Sequence, residues 1–490
     1  MLISVDLPPG VYRNGTDLDS KNRYRDANFV RWQNASLRPI GGWNIRASSA
    51  YAAPPRGSIA WNTQSDNVRI AAGTYNKLYS TNAGGVTIDI TPAGLTAGSI
   101  DAPINLGFGG GNFGTGFYGI ERPNDGVPTT CTTWDLGNWG QYLVACSSDD
   151  GKLYEWQLDT AGVAQQIANA PIDCTGLIVT DERFIFAFGA GGNEKKVSWC
   201  DRENNTDWTP QITNQAGDIE LQTAGAIMCG VKVKSDTLIL TNTDAHVATY
   251  LGPPTVYGFE RVGGDCGAIS RHTAVAVDDG AYWMGSKAFF VYNGTTVNEM
   301  ACEVLDYVFS DINAAQQSKV FAVHNGRFSE VWWFYPSDAS TENDRYVVYD
   351  YKENHWNIGQ LDRTTGVDSG SFTTPVWFDS QGNIYNHEIA FSHDSAPFAE
   401  TGPLLLGEGD QLMKVNKIIP DEKTQGEVSL SFKTRFYPNG TETQHGPYSM
   451  ANPTSARFQG RQVRMRINGT ELNDWRAGKM RLDVIAGSRR

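Results

Sequence analysis

The stretch YLVACSSDDGKLYEW, residues 142–156, passes from an apolar strand through a polar Asp149-Asp150-Gly151 turn into a second strand rich in apolar and aromatic residues. Six more segments repeat that order: RIAAGTYNKLYSTN from Arg69, RFIFAFGAGGNEKKVSW from Arg183, TLILTNTDAHVATYLG from Thr237, GAYWMGSKAFFVYNG from Gly280, EVWWFYPSDASTENDRYVVYDY from Glu330 and TPVWFDSQGNIYNHE from Thr374. From Tyr142 onward their starts lie 41, 54, 43, 50 and 44 residues apart, the length of a propeller blade. A blade of about four short antiparallel strands cannot cover both of its faces alone, so blades stack around an axis. The inner strands of such a stack should be apolar on both faces. Phe184 to Phe188, Thr237 to Leu240 and Val331 to Tyr335 meet that condition, and each is too short for a typical helix. Asn293-Gly294 and Gln381-Gly382-Asn383 supply hairpin residues that tolerate positive φ. The expected fold is all-β, a β-propeller of six to eight irregular blades with a smaller β-sandwich or barrel platform; a large multi-sheet sandwich is its rival.

Beyond the repeats the texture changes. VSLSFKTRF (428–436), RQVRMRING (461–469) and KMRLDVIAG (479–487) alternate strictly, as half-buried antiparallel strands do. Val463, Met465 and Ile467 then face a core with Gln462, Arg464 and Arg466 outward, while Met480, Leu482 and Val484 face in, opposite Arg481 and Asp483. The result is a platform with a basic outer surface, either simply solvated or docked on an acidic neighbour. Residues 1–45 are expected to be an arm joining this platform, because Val30, Trp32 and Trp43 need an apolar surface to cover them. Residues 46–410 form the propeller and 411–490 the platform. Residues 84–130, with GFGGGNFGTGFYG at 107–119, read as a Gly-rich insertion without phosphate-loop context. Glu303 to Lys319 reads as one amphipathic helix, with Val304, Leu305, Val308, Phe309 and Ile312 at helical spacing.

Composition narrows the function. The 490 residues are 40% hydrophobic with 52 Gly and 21 Pro, enough for a large core and too little Gly and Pro for a low-complexity chain. No run approaches the roughly 20 apolar residues of a membrane span, and MLISVDLPPGVYRNGT lacks the basic-then-apolar order of a signal peptide, so a chain folded in a cytosol is expected. Cys131, Cys146, Cys174, Cys200, Cys229, Cys266 and Cys302 form no CxxC pair; buried thiols are expected rather than disulfides or a zinc ribbon. The formal net charge of −14 is uneven, because residues 411–490 hold 14 Lys/Arg against 7 Asp/Glu. Duplex DNA carries one negative charge per about 1.7 Å of axis and is held by cations at its phosphates, so the acidic remainder repels it.

Catalytic signatures are missing. His246, His272, His324, His355, His387, His393 and His445 include no HExxH, and the gap from His387 to His393 has no accompanying acid motif. There is no Gly-x-Ser-x-Gly elbow and no GxxxxGKS/T loop. Ser147 to Tyr154 approximates the Ser-x-Asp-x-Gly-x-Thr-Trp turn of sialidase blades, with Leu153 and Tyr154 in the last two places, but that turn is structural even where complete. A glycosidase pair is defined by its separation in space, which numerous carboxylates leave open. The 14 Trp and 20 Tyr could stack on sugars, although at propeller spacing most belong to the core. A protein without catalytic residues, metal or cofactor is expected, with a carbohydrate-binding or glycoside-hydrolysing propeller as the alternative.

Several phrases are more particular. Gly10-Val11-Tyr12-Arg13-Asn14-Gly15-Thr16, Asp26-Ala27-Asn28-Phe29-Val30-Arg31-Trp32 and Leu37-Arg38-Pro39-Ile40-Gly41-Gly42-Trp43 resemble the opening of structural proteins of short-tailed bacteriophages. Asp311-Ile312-Asn313 with Gln317 and Lys319, Glu330 to Pro336, Tyr349-Asp350-Tyr351, Trp356 to Gly359, and Arg464 to Gly469 leading to Trp475-Arg476 and Gly478-Lys479 are similar to the same group, the tail nozzle, tail hub or tail tubular protein B class. The resemblance implies a virion tail protein assembled in the host cytoplasm: a hexameric ring below the adaptor and portal, pairing a propeller with a β-rich platform around a channel for genome retention and ejection. Its implied partners are further copies of the chain, the adaptor and portal, and fibres, spikes or a needle, with genomic DNA passing unbound. A fibre-attachment tail protein is the neighbouring alternative. Arg13, Arg31, Trp32, Arg38, Trp43, Arg464, Arg466, Trp475 and Arg481 are the candidate interface residues. For the first five, local packing of the arm competes with an inter-subunit role.

Overall fold

Each of the seven repeated segments forms the second and third strands of a four-stranded antiparallel sheet; in the founding segment Tyr142–Ser147 pairs with Leu153–Trp156, Cys146 opposite Leu153. A computed structural model describes residues 1–102, 130–278, 280–404, 411–424, 427–470 and 473–487. The blades span 58–89, 134–166, 176–220, 227–264, 274–299 and 321–360, and the seventh combines 365–387 with Trp43–Ile45. The first strand of each blade touches the first strand of the next, and that of blade 7 touches that of blade 1, so the ring closes at seven.

Period-two alternation explains the doubly apolar runs. In Glu330–Tyr335, Trp332 packs on Trp377 of blade 7 at 5.3 Å, while its neighbour Trp333 packs on Phe289 of blade 5 at 5.0 Å. Ile185–Phe188 and Glu330–Tyr335 are buried throughout. These runs are second strands rather than innermost ones: the second strand is clasped by blades on both sides, whereas the first lines the axis.

A second unit, a sandwich of two antiparallel sheets, completes the chain. The four-stranded sheet runs Leu2–Val5, Met480–Ala486, Met413–Ile419, Thr454–Gly460. The five-stranded sheet runs Tyr24–Asn28, Phe398–Thr401, Gln462–Asn468, Ser429–Arg435, Thr443–Ser449. Val463, Met465, Ile467, Met480, Leu482 and Val484 all point into its core, which is continuous with Phe289, Trp333 and Trp356 of blades 5 and 6.

Four boundaries differ from the sequence expectation. Trp43–Ile45 belongs to blade 7, where His387 opposes Trp43 and Tyr385 opposes Ile45, rather than to the arm. Phe398–Thr401 belongs to the platform rather than to the propeller. Strands of three and four residues are too short to display a period. Thr87–Asp89 is the outer strand of blade 1, so the inserted segment begins later than residue 84, and the Gly-rich run 107–119 lies outside the described residues. The expected helix is confined to Leu305–Asp311; Ile312 is extended, and a 3-10 turn follows at Ala314–Lys319. Tertiary pairing outweighs propensity there, since Ile312 bridges Ser337 and the Asn313 N–H donates to Pro336.

Six cysteines are buried and Cys302 is half-buried, all as free thiols. Among the described residues no helix is long and apolar enough to cross a membrane.

Candidate functional site

Most of the segments singled out by resemblance meet where the platform is mounted on blade 6, while Lys319 pairs apart from it with Asp101 and Glu342. Tyr24–Asn28, an edge of the five-stranded sheet, lies beside His355–Gln360, the outer strand of blade 6. Val11 links the two, forming a parallel bridge with Tyr24 and donating its N–H to Trp356 at 2.7 Å. Gly10 turns at φ +87, and a Cβ there would lie 2.8 Å from His355 Cβ. Asn28 Oδ1 accepts the Gln360 N–H at 2.9 Å, and Asn357 Nδ2 donates to the Val30 carbonyl at 2.5 Å. Between the platform strand and the following hairpin, Phe29 turns at φ +53, a strained conformation for a bulky residue. Its N–H donates to the Tyr346 hydroxyl at 3.0 Å, and its ring packs on Trp43 and His393 at 5.4 Å from each.

At the centre of the joint is Arg31. Its guanidinium grips Glu330 of blade 6 with two bonds of 2.8 Å and Glu388 beyond blade 7 with bonds of 2.5 and 3.0 Å. All three side chains are about 95% buried, and Arg31 lies 3.6 Å from the Phe328 ring centroid. Glu388 also accepts from the Gly41 N–H and Asn325 Nδ2, and Glu330 from Trp332 Nε1. Burial by itself would lower the pKa of Arg31, but the two carboxylates outweigh it and hold it above its ordinary value. Burial likewise pushes Glu388 up, and the bonds from Arg31, Gly41 and Asn325 reverse that, leaving it below the usual carboxylate range. Glu330, buried beside the charge of Glu388, remains raised despite Arg31.

The other nominated residues occupy different settings. Arg13 pairs with Asp26 at 3.1 Å and covers Tyr307 of the short helix at 4.0 Å, beside Asn14, which accepts the Asp306 N–H and donates to the Cys302 carbonyl. Trp32 is buried against Tyr24, and Trp475 is buried completely. Arg38 pairs with Asp474 at 2.9 Å. Trp43 stacks among Phe29, His387, His393 and Arg363. Arg464 and Arg466 do not form the open basic surface that their alternation suggested. Arg464 pairs with Asp17 at 2.8 Å and Glu442 at 3.1 Å, and Arg466 with Glu400 at 3.2 Å, because the arm and the Phe398–Thr401 strand lay carboxylates over them. Arg481 alone of the nine stands exposed without an ion pair among the described residues. Glu388, Asp17 and Glu400, which complete these contacts, carry no sequence signal, since each meets its partner only through the fold; Glu330 stands in the phrase Glu330 to Pro336, but nothing in that phrase pairs it with Arg31.

The axis holds a cavity of about 260 Å³ lined by first strands of all seven blades. Asp135 Oδ1 and His272 Nε2 lie 2.9 Å apart in it, Asp135 Oδ2 accepts the Leu177 N–H, and Arg271 donates to the Met228 carbonyl. Ser58 Oγ, the hydroxyl nearest to a nucleophile in this lining, bonds Thr365 Oγ1 rather than the imidazole. The sialidase-like turn is structural here: Asp150 accepts from the Thr96 N–H, Lys152 and the Tyr154 hydroxyl. Among the described residues no group of three His, Cys, Asp or Glu side chains is placed to hold a metal.

No family model and no curated protein matches this chain. Solved structures similar to it include selenomethionine-substituted virginiamycin B lyase from Staphylococcus aureus, 8% identical over 71% of this chain and 99% of that one with a TM-score of 0.42. The Myceliophteria thermophila Cps50 (Swd1) β-propeller domain is 9% identical over 70% and 98%, with a TM-score of 0.41. YCF48 bound to D1 peptide is 8% identical over 72% and 98%, with a TM-score of 0.40. Likeness at this level says nothing about activity.

Proposed function

We propose that the chain is a virion structural protein, a subunit of the tail nozzle or hub of a short-tailed bacteriophage. The observation that carries this reading is the convergence of most of the resembling segments, drawn from the early, middle and late parts of the sequence, on one joint between platform and propeller. A catalytic reading asks its signature residues to line a cleft; these build a brace. Six such subunits form a ring below the adaptor and portal, with fibres, spikes or a needle attached farther out. Each copy brings a charge of −14, so the channel wall offers little phosphate neutralisation and DNA slides without being held.

Electron microscopy of the purified chain, alone and mixed with the adaptor and portal assembly, tests the proposal. Sixfold rings with an open axial channel that join the assembly support it. Single discs that never join refute it and turn attention to glycan binding.

A further inference from the structure

The two platform sheets treat their cations differently. On the five-stranded sheet Lys433, Arg435, Arg464 and Arg466 are all paired with Asp17, Glu400 or Glu442. On the four-stranded sheet Lys414, Lys417, Arg457 and Arg481 alternate with the buried Met413, Val415, Ala456, Phe458, Met480 and Leu482, and therefore share its outer face. Register keeps them close: Lys414 opposes Gln459 and Ile485, Lys417 opposes Ser455 and Asp483, and Arg481 opposes Ile419. All four are exposed and make no ion pair among the described residues. Asp483 is taken by the terminal ammonium of Met1 at 3.2 Å. Beside these cations Leu2 and Ile485 are half-exposed, so the face mixes charge with apolar surface. A chain with 54 Asp/Glu against 40 Lys/Arg has carboxylates to spare, yet among the described residues none forms an ion pair with any of these four cations.

The complement lies on the same molecule, with no ion pair joining the two surfaces among the described residues. Residues 131–270 hold 18 Asp/Glu against 8 Lys/Arg. Asp173 precedes the first strand of blade 3, Glu194 lies in the turn between its second and third strands, Glu220 ends its fourth, and Asp265 follows the last strand of blade 4. An antiparallel meander brings all four to the same end of the two blades, and each is exposed without an ion pair among the described residues. In the seven-blade ring blade 3 stands across from blade 6, where the platform is mounted, and blade 4 is two positions away from it.

We infer that the basic outer face of the four-stranded platform sheet docks on the acidic end of blades 3 and 4 of a second copy of this chain. The inference rests on the ring reading above and supplies its subunit contact. The contact is head-to-tail, joining two different surfaces, and closes into a ring when the rotation per subunit permits. Nucleic acid is a poorer occupant, because the body beside the platform repels phosphate.

Charge swapping tests it. One variant carries Lys414→Glu, Lys417→Glu, Arg457→Glu and Arg481→Glu; the other carries Asp173→Lys, Glu194→Lys, Glu220→Lys and Asp265→Lys. Mass is read by sedimentation at low and high salt, with melting temperature as the folding control. The native chain forms rings that loosen as salt rises; each variant alone associates at least about 10-fold more weakly; and the equimolar mixture, whose alternating copies again oppose unlike charges, reassembles. A platform variant that keeps the native mass, a mixture that stays monomeric, or a native chain monomeric at every salt overturns the inference. Rings that persist in the platform variant leave the nozzle reading standing with another contact. Rings that depend on these charges but never join the adaptor and portal sustain the contact and defeat the nozzle.

Discussion

Replacing Arg31 by Met should be among the costliest single changes in the molecule, and its cost should shrink in acid. The side chain is buried, and its four bonds neutralise Glu330 and Glu388 where water cannot. Breaking a buried ion pair from one side costs about 3–5 kcal/mol, and stranding two carboxylates places this case in the upper half of that range. The pH dependence separates this cause from lost packing. In the native chain Glu388 is held below its ordinary value, so its contribution is present above the unfolded pKa and is lost as pH falls through the folded one. The raised Glu330 has the opposite sign: its contribution is present below the unfolded pKa and fades as pH rises through the folded one. Without Arg31, burial raises both carboxyls, and the variant gains about 1.4 kcal/mol per pH unit for each proton taken up on folding. Urea unfolding of both proteins between about pH 7.5 and 5.5 should therefore show a gap that narrows with acid. A gap below about 1 kcal/mol at neutral pH, or one that does not narrow, refutes the reasoning. A triple variant, Arg31→Met with Glu330→Leu and Glu388→Met, should recover most of the loss.

Three further outcomes are expected. Trp333→Ala empties a site between blades 5 and 6 and should cost about 3–5 kcal/mol, read as a lower urea midpoint, whereas a substitution at exposed Ile212 should leave the midpoint unchanged. Asp150→Ala strands the Thr96 N–H and the buried Tyr154 hydroxyl and should cost about 1–3 kcal/mol, with faster proteolysis around residues 94–98 as the local readout. Burial pushes the thiols of Cys174, Cys200 and Cys229 up to about 12 and that of Cys266 to about 11, so at mildly alkaline pH these four should resist a thiol reagent until the chain is unfolded; rapid labelling of the native protein would contradict their placement.

What could be read from the sequence follows strand by strand from geometry. The second and third strands of every blade announce themselves, because a run such as Val331 to Tyr335 must satisfy two neighbouring blades and then turn. First and fourth strands, lining the axis or the rim, relax that demand and blur. Trp43–Ile45 has only three residues in which to show a period, so the strand that closes the ring reads as part of the arm. Alternation shows that Arg464 and Arg466 leave the platform core; it is silent about Asp17 and Glu400, which the fold carries over them. Arg31 shares that limit, its partners lying 299 and 357 residues away.

The seventh blade waits for a strand made long before it. Trp43–Ile45 leaves the ribosome about 340 residues ahead of Tyr385–His387, an interval of roughly 17 to 70 s at ordinary elongation rates. Leu2–Val5 waits longer still, since its partner Met480–Ala486 follows it by more than 470 residues. A chain cut short of Tyr385 cannot close the ring of blades, and one cut short of Met480 cannot complete the four-stranded sheet. Ring closure is thus a late event that tests for a distant stretch of the same polypeptide, and a product terminated ahead of Tyr385 keeps an unpaired strand where the seventh blade should close.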